Sequence, residues 1–257
     1  MRPATEALLA DHLRQLKLTA ILRSYAALAR QARENGSEYE DFLASLVESE
    51  IDARADNRLK RRIRGARFPL LKTMEGFDFD EAEGLDRRLV RELAEGTYIR
   101  ERRNIIFVGK TGTGKTHLAT ALGLEACRQG VRTRFVTGAG LANELIEARS
   151  ERAVGRMIQK MSRFGLLILD ELGYVPFSRE GSQLLFQLLA DRYERASVII
   201  TTNLGFADWT QLFGDPTLTA ALLDRLTHKA HIIMCDWDSY RLKESLKKKS
   251  PAKRDKE

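Results

Sequence analysis

Residues 109–116 read GKTGTGKT, preceded by RNIIFV and followed by HLATALGLEACRQG. The stretch meets the pattern G-x-x-x-x-G-K-[ST] with Gly109, Gly114, Lys115 and Thr116, between an apolar run with the look of a strand and an apolar-rich run with the look of a helix. That context turns a pattern match into a mechanism. Glycines let backbone N–H groups turn inward at a β-phosphate, and the helix start adds the positive end of its dipole. Lys115 is placed to reach the β- and γ-phosphates, and the Thr116 hydroxyl to ligate Mg²⁺. Thr111, Gly112, Thr113 and His117 complete the expected contact with ATP, while Lys110 stands in the variable part of the loop, facing water.

From Asn104 onward short apolar runs alternate with helical ones: NIIFVG, VRTRFVT, GLLILDE, SVIITTN and HIIMCD are the strands. Apolar runs without period-2 alternation suit strands buried on both faces, and strands alternating with helices imply a parallel α/β sheet. GLLILDE delivers Asp170 to the carboxyl end of that sheet, where ligands of open α/β folds bind. Asp170 is expected to hold Mg²⁺ through water. Glu171 is expected to orient and deprotonate the attacking water, a role that argues against a kinase acting on a metabolite. SVIITTN ends in Thr202 and Asn203, on the strand expected between those of the loop and of Asp170, within reach of that water or the γ-phosphate. Arg225 stands near a helix end and Arg241 past the last strand; an arginine presented to a neighbour's γ-phosphate is worth roughly 10³- to 10⁵-fold in rate, but arginines on helices usually face solvent, so position alone assigns neither a role.

The chain has 257 residues, 43% hydrophobic, enough for one large domain with a smaller attachment. A formal charge of +7 with a pI near 9.5 favours nucleic acid as a partner. Two cysteines, Cys127 and Cys235, lack metal-ligand spacing and suit a reducing cytoplasm. Neither a signal peptide nor an apolar run near the ~20 residues of a membrane span is evident, so no membrane association is expected.

Leu18, Ile21, Leu22, Tyr25 and Leu28, and then Tyr39, Phe42, Leu43, Leu46, Val47 and Ile51, follow helical spacing on either side of NGS at 35–37. Residues 1–67 are therefore expected as a helical N-terminal domain, 68–102 as a linker, 103–240 as the ATPase domain and 241–257 as a basic, disordered tail. Three basic groups are candidates for DNA: Arg58, Lys60, Arg61, Arg62, Arg64 and Arg67; the tail from Lys247; and Arg149, Arg152, Arg156, Lys160 and Arg163. Placed on one helix, the last group forms a stripe opposite Val154, Met157, Ile158, Met161 and Phe164. None carries aromatic platforms, so sequence-independent contact with duplex backbone is the expectation. His228 and His231 have no third ligand nearby and read as surface or interface residues, and Leu184, Leu185, Leu188 and Leu189 as core.

GKTGTGKTHLA, LLILDELGYVPF, RYERASVIITTN, ALLDRLTHKA and SYRL, in this order and with ARFPLLKTMEGFDF ahead of them, resemble the IstB family of AAA+ ATPases, helpers of an insertion-sequence transposase. The resemblance spans nearly the whole chain. It implies an AAA+ P-loop fold with little or no C-terminal lid, Asn203 as the γ-phosphate sensor, Arg225 as the arginine finger and Arg241 as a second sensor. It implies a homo-oligomer assembling on DNA with ATP and stimulating the transposase IstA. Where the family has glycine shortly before SYRL, this chain has Trp237 and Asp238, which bears on the backbone path into Arg241. Three other readings stay open: a helicase loader like DnaC, a P-loop small-molecule kinase, and a DNA-binding scaffold that binds ATP without useful hydrolysis.

Overall fold

A computed structural model describes residues 3–240. The chain divides into two compact units, Met1–Arg61 and Arg62–Glu257. Arg241 and the expected basic tail lie outside the described residues.

The first unit holds α1 (Pro3–Gln15), α2 (Thr19–Asn35) and most of α3 (Tyr39–Ala66). NGS is the break between α2 and α3, with Gly36 in the left-handed conformation at φ 64°. Leu18, at the start of α2, has no capping side chain. Glu50 of α3 supplies the cap from a distance, its Oε2 accepting the N–H groups of Ala20 at 2.8 Å and Ile21 at 3.3 Å. Burial alone would raise the Glu50 pKa, but Arg54 at 2.8 Å and those two amides hold it below the ordinary value. Turning Glu50 inward sets which face of α3 is covered: Leu46 is buried, while Tyr39, Leu43, Val47 and Ile51 are exposed. The expected apolar stripe is thus split between core and solvent.

The second unit begins with a finding that differs from expectation. Residues 68–102, expected as a linker, carry α4 (Arg87–Ala94) and α5 (Thr97–Arg100) and pack into the core of this unit. The Asp86 carboxylate caps α4 through the N–H groups of Arg88 and Leu89. Phe68, Met74, Phe77 and Phe79 pack on the buried Val90, Leu93 and Tyr98, in one core with Phe107, Leu118 and Ile168.

The remaining elements are β1 (Asn104–Gly109), α6 (Lys115–Arg128), β2 (Thr133–Thr137), α7 (Gly138–Ser150), α8 (Val154–Ser162), β3 (Leu166–Leu172), α9 (Arg179–Arg192), β4 (Ser197–Thr202), α10 (Trp209–Phe213), α11 (Pro216–Thr227) and β5 (Ala230–Cys235). The sheet is parallel throughout, in the order β2-β3-β4-β1-β5. β4 does lie between β1 and β3. Over β1, β3 and β4 both faces are covered, as their unbroken apolar runs require: Ile105, Phe107, Ile168 and Ile199 face the side of α6, and Ile106, Val108, Leu167, Leu169 and Ile200 the side of Leu184, Leu185, Leu188 and Leu189 of α9. The edge strand β5 departs from that expectation, with Ile233 and Cys235 buried but Ile232 and Met234 exposed. Buried Arg192 ties the end of α8 and the turn after it to the start of β4, donating to the carbonyls of Met161 (3.0 Å), Phe164 (3.0 Å) and Ser197 (3.1 Å). Its burial lowers its pKa to about 10, so it stays charged at neutral pH. Among the described residues no helix is long and apolar enough to cross a membrane.

The expected helix through 149–163 is corrected. Arg152 takes a left-handed φ of 53°, and Ala153 N–H bonds back to Ala148 O at 2.6 Å, the closing turn of a helix end. Arg149 therefore ends α7, where it pairs with Glu180 at 3.2 Å, and only Arg156 and Lys160 stand on α8, with Arg163 at its end. On α8 itself the face assignment holds: Met161 is buried, Val154, Met157 and Phe164 pack on the core, and Arg156, Lys160 and Arg163 are exposed.

Candidate nucleotide site

The carboxyl ends of β1, β3 and β4 converge on a cleft of about 520 Å³. Its floor is the loop between β1 and α6. Gly114 sits at φ 83° at the head of α6, and a Cβ there would stand 2.6 Å from the Phe77 ring, so only glycine allows both the turn and the approach of that ring. Lys115 is buried at 7% exposure; its Nζ donates to the carbonyls of Gly109 (2.7 Å) and Lys110 (2.6 Å), which hold the ammonium inside the loop. Thr116 Oγ1 donates to Asp170 Oδ1 at 3.0 Å, joining residues 54 positions apart.

Asp170 is 4% exposed and also accepts from Thr201 Oγ1 at 2.5 Å. Glu171 is exposed and lines the cleft, with its backbone in the left-handed region at φ 55°. Hydroxyl and carboxylate oxygens are the donor set a hard cation takes, with phosphate oxygens and water filling the other positions, so Thr116 and Asp170 suit Mg²⁺. From β4 the wall is made by Thr201 and Thr202. Asn203 is exposed one residue further on, its Oδ1 beside Gly173. Arg225 stands on α11, where Nη1 donates to Ala221 O at 2.8 Å and the guanidinium lies over the Phe186 ring. Neither Asn203 nor Arg225 is among the residues lining this cleft.

Several lining residues carried no expectation from sequence. Pro69, Leu70, Lys72, Gly76 and Phe77 build one wall from the segment read as a linker. His117 joins that wall to α6: its Nε2 donates to Thr73 O at 2.8 Å and its ring meets Phe77 edge-on. Burial lowers the His117 pKa, and Lys72 adds to this against the pull of the Thr73 carbonyl. Tyr174 reaches across the mouth, its hydroxyl 2.9 Å from Thr111 Oγ1. Trp237 Nε1 donates to Thr113 O at 3.0 Å and Tyr240 N–H to Gly112 O at 3.1 Å, so the segment that departs from the family pattern runs along the phosphate loop. Burial pushes the Cys235 thiol up to about 12, and it stays protonated beneath the loop. His228 accepts or donates at Tyr193 OH, 2.9 Å away, and shares no ligand set with His231 among the described residues. Of the α3 basic residues, Arg58, Lys60, Arg61 and Arg64 are exposed and Arg62 is half-buried, and Arg67, just past the helix end, is exposed.

The parallel order with its phosphate loop after β1 and acidic pair near the carboxyl end of β3 defines a P-loop protein of the AAA+ class. The family of IstB-like ATP-binding proteins matches residues 11–248, and the chain belongs to that family. Over 235 residues it is 41% identical to a Pseudomonas aeruginosa protein named for ATP binding in insertion sequence IS21, a match covering 91% of this chain and 89% of that one. Among solved structures, AMPPCP-bound DnaA from Aquifex aeolicus aligns with a TM-score of 0.57 at 22% identity, over 71% of this chain and 56% of that chain. The DnaC helicase loader aligns at 0.50 and 21% identity, over 58% and 86%. At such identities the likeness is one of fold.

Proposed function

We propose that the chain is a Mg·ATP-dependent ATPase that oligomerises on duplex DNA and stimulates or targets the transposase of its insertion sequence, with hydrolysis timing disassembly. The observation that supports the chemistry is the bond from Thr116 to Asp170, with Glu171 next in the chain lining the same cleft as Thr116. Lys115 turns its ammonium from the loop carbonyls to the β- and γ-phosphates. Thr116 and Asp170 would hold Mg²⁺, which would supply neutralisation of charge developing on the phosphate oxygens. Glu171 takes a proton from the attacking water as its oxygen bonds to the γ-phosphorus, and the bond to the bridging oxygen breaks to leave ADP and phosphate. Asn203 is kept as the γ-phosphate sensor because Thr202 before it lies in the wall. Arg225, displayed away from its own cleft, is assigned to a neighbour's site.

Membership of an insertion-sequence family supports the transposase as partner. For DNA, the exposed Arg156, Lys160 and Arg163 and the exposed arginines of α3 offer charge without a base-reading motif, which suits backbone contact. Phosphate release measured with and without duplex DNA tests the reading. Lys115→Ala is expected to abolish nucleotide-dependent assembly, and Glu171→Gln to trap it; a Glu171→Gln protein with normal turnover would remove the base assignment.

A further inference from the structure

β3 and β4 fall out of register at the functional carboxylates. Leu169 pairs with Ile200 and Leu172 with Thr202, so Asp170 and Glu171 together face the single residue Thr201. This is a bulge, with the extra residue on β3 and Glu171 at φ 55°. A bulge frees a backbone N–H from the ladder and re-aims a side chain. Here the freed Glu171 N–H donates to Thr201 Oγ1 at 2.9 Å, and the same oxygen donates its proton to Asp170 Oδ1 at 2.5 Å. Thr201 is 2% exposed, so water does not compete for these bonds.

We infer that Thr201 is a positioning residue for ATP hydrolysis: one buried hydroxyl, acting as acceptor and donor at once, fixes the Glu171 peptide and the Asp170 carboxylate in a common geometry. The inference rests on the hydrolysis reading above. A glutamate in the left-handed region is held there by its surroundings rather than by its own preference. The Thr201 bond supplies that constraint at the residue's own amide, and so sets the direction in which the base carboxylate leaves the strand. Asp170 Oδ1 is shared by Thr116 and Thr201. When Thr116 gives its hydroxyl to the metal, Thr201 is the contact that keeps the carboxylate from swinging. Valine matches threonine in shape and strand preference and lacks the hydroxyl; serine keeps the hydroxyl and lacks the methyl.

Wild-type chain, Thr201→Val, Thr201→Ser and Glu171→Gln should be compared for kcat and KM with Mg·ATP, and for ADP affinity with and without magnesium. Thr201→Val is expected to lower kcat roughly 10- to 100-fold, the effect of losing a hydrogen bond to a charged group. Its metal-free ADP affinity should stay within about threefold of wild type, while the gain in affinity on adding magnesium shrinks. Thr201→Ser should recover most of the lost rate. A Thr201→Val protein with wild-type kcat overturns the assignment, as does a serine variant as slow as valine, or a metal-free ADP affinity that falls in step with turnover. A wild-type chain without turnover sensitive to Glu171→Gln would instead defeat the hydrolysis reading and the role of Thr201 with it.

Discussion

Trp237→Phe isolates one bond between the β5 exit and the phosphate loop. The indole N–H donates to Thr113 O at 3.0 Å, with Trp237 9% and Thr113 1% exposed. Phenylalanine retains an aromatic ring in the same core and removes the donor. A neutral hydrogen bond in such a setting contributes about 1 kcal/mol net, rising to about 2 where the abandoned carbonyl stays dry. If that bond holds the Thr113 peptide in its phosphate-binding orientation, its loss shifts the ordering cost onto nucleotide binding. At about 1.4 kcal/mol per tenfold, affinity should weaken by roughly 5- to 30-fold. Trp209 provides the control: it is fully buried, and among the described residues its Nε1 has no hydrogen-bond partner. Trp209→Phe removes a comparable volume from the opposite core, with no bond to the loop. Calorimetric titration of both variants with ADP, alongside their thermal unfolding, decides the matter. Wild-type affinity in Trp237→Phe, or an equal loss in Trp209→Phe, would refute the reasoning.

Three further outcomes follow from particular contacts. Glu50→Gln should destabilise the helical unit by about 1 to 2 kcal/mol, because the amide caps α2 and pairs with Arg54 less well; unchanged thermal unfolding of the intact chain would dismiss the cap. Replacing Arg156 and Lys160 together by alanine should make the salt dependence of duplex binding shallower by about two units of log–log slope, with no change in sequence preference; an unaltered slope places the DNA elsewhere. The His117 pKa lies below its ordinary 6.5, so its contribution is complete above 6.5 and is lost as pH falls through the folded value. Melting temperature should therefore drop on acidification below that point, and His117→Gln should flatten the dependence; an equally steep profile in the variant would remove His117 from it.

Much of the sheet and its phosphate loop was legible because the signals are local. Five apolar runs without alternation, a glycine-rich loop at a helix start and an acidic pair at a strand end each specify their own geometry within a few residues. The packing of 68–102 was not, because Phe68, Met74, Phe77 and Phe79 follow neither helical nor strand spacing and are partly buried against a core that also draws on Phe107, Leu118 and Ile168. Arg149 to Arg163 misled for a different reason. Their charges keep the helical period straight across a helix end that uses arginine, rather than glycine, in the left-handed position. Glu50 ran against the rule that carboxylates face water, since its partners are the start of another helix. Thr201 looked like ordinary strand sequence; only the register shift against β3 gives its hydroxyl something to do.

On the proposed function, Arg225 of one subunit completes the cleft of another. Arg225→Ala and Glu171→Gln should each be nearly inactive alone, the first lacking a finger to lend and the second lacking its base. Mixed in equal amounts with DNA and Mg·ATP, the Arg225→Ala subunits receive an arginine from Glu171→Gln neighbours. Half the subunits then hold an intact cleft and half of those are completed, so turnover should return to about a quarter of the wild-type rate. A mixture no more active than the average of its two components would contradict the account.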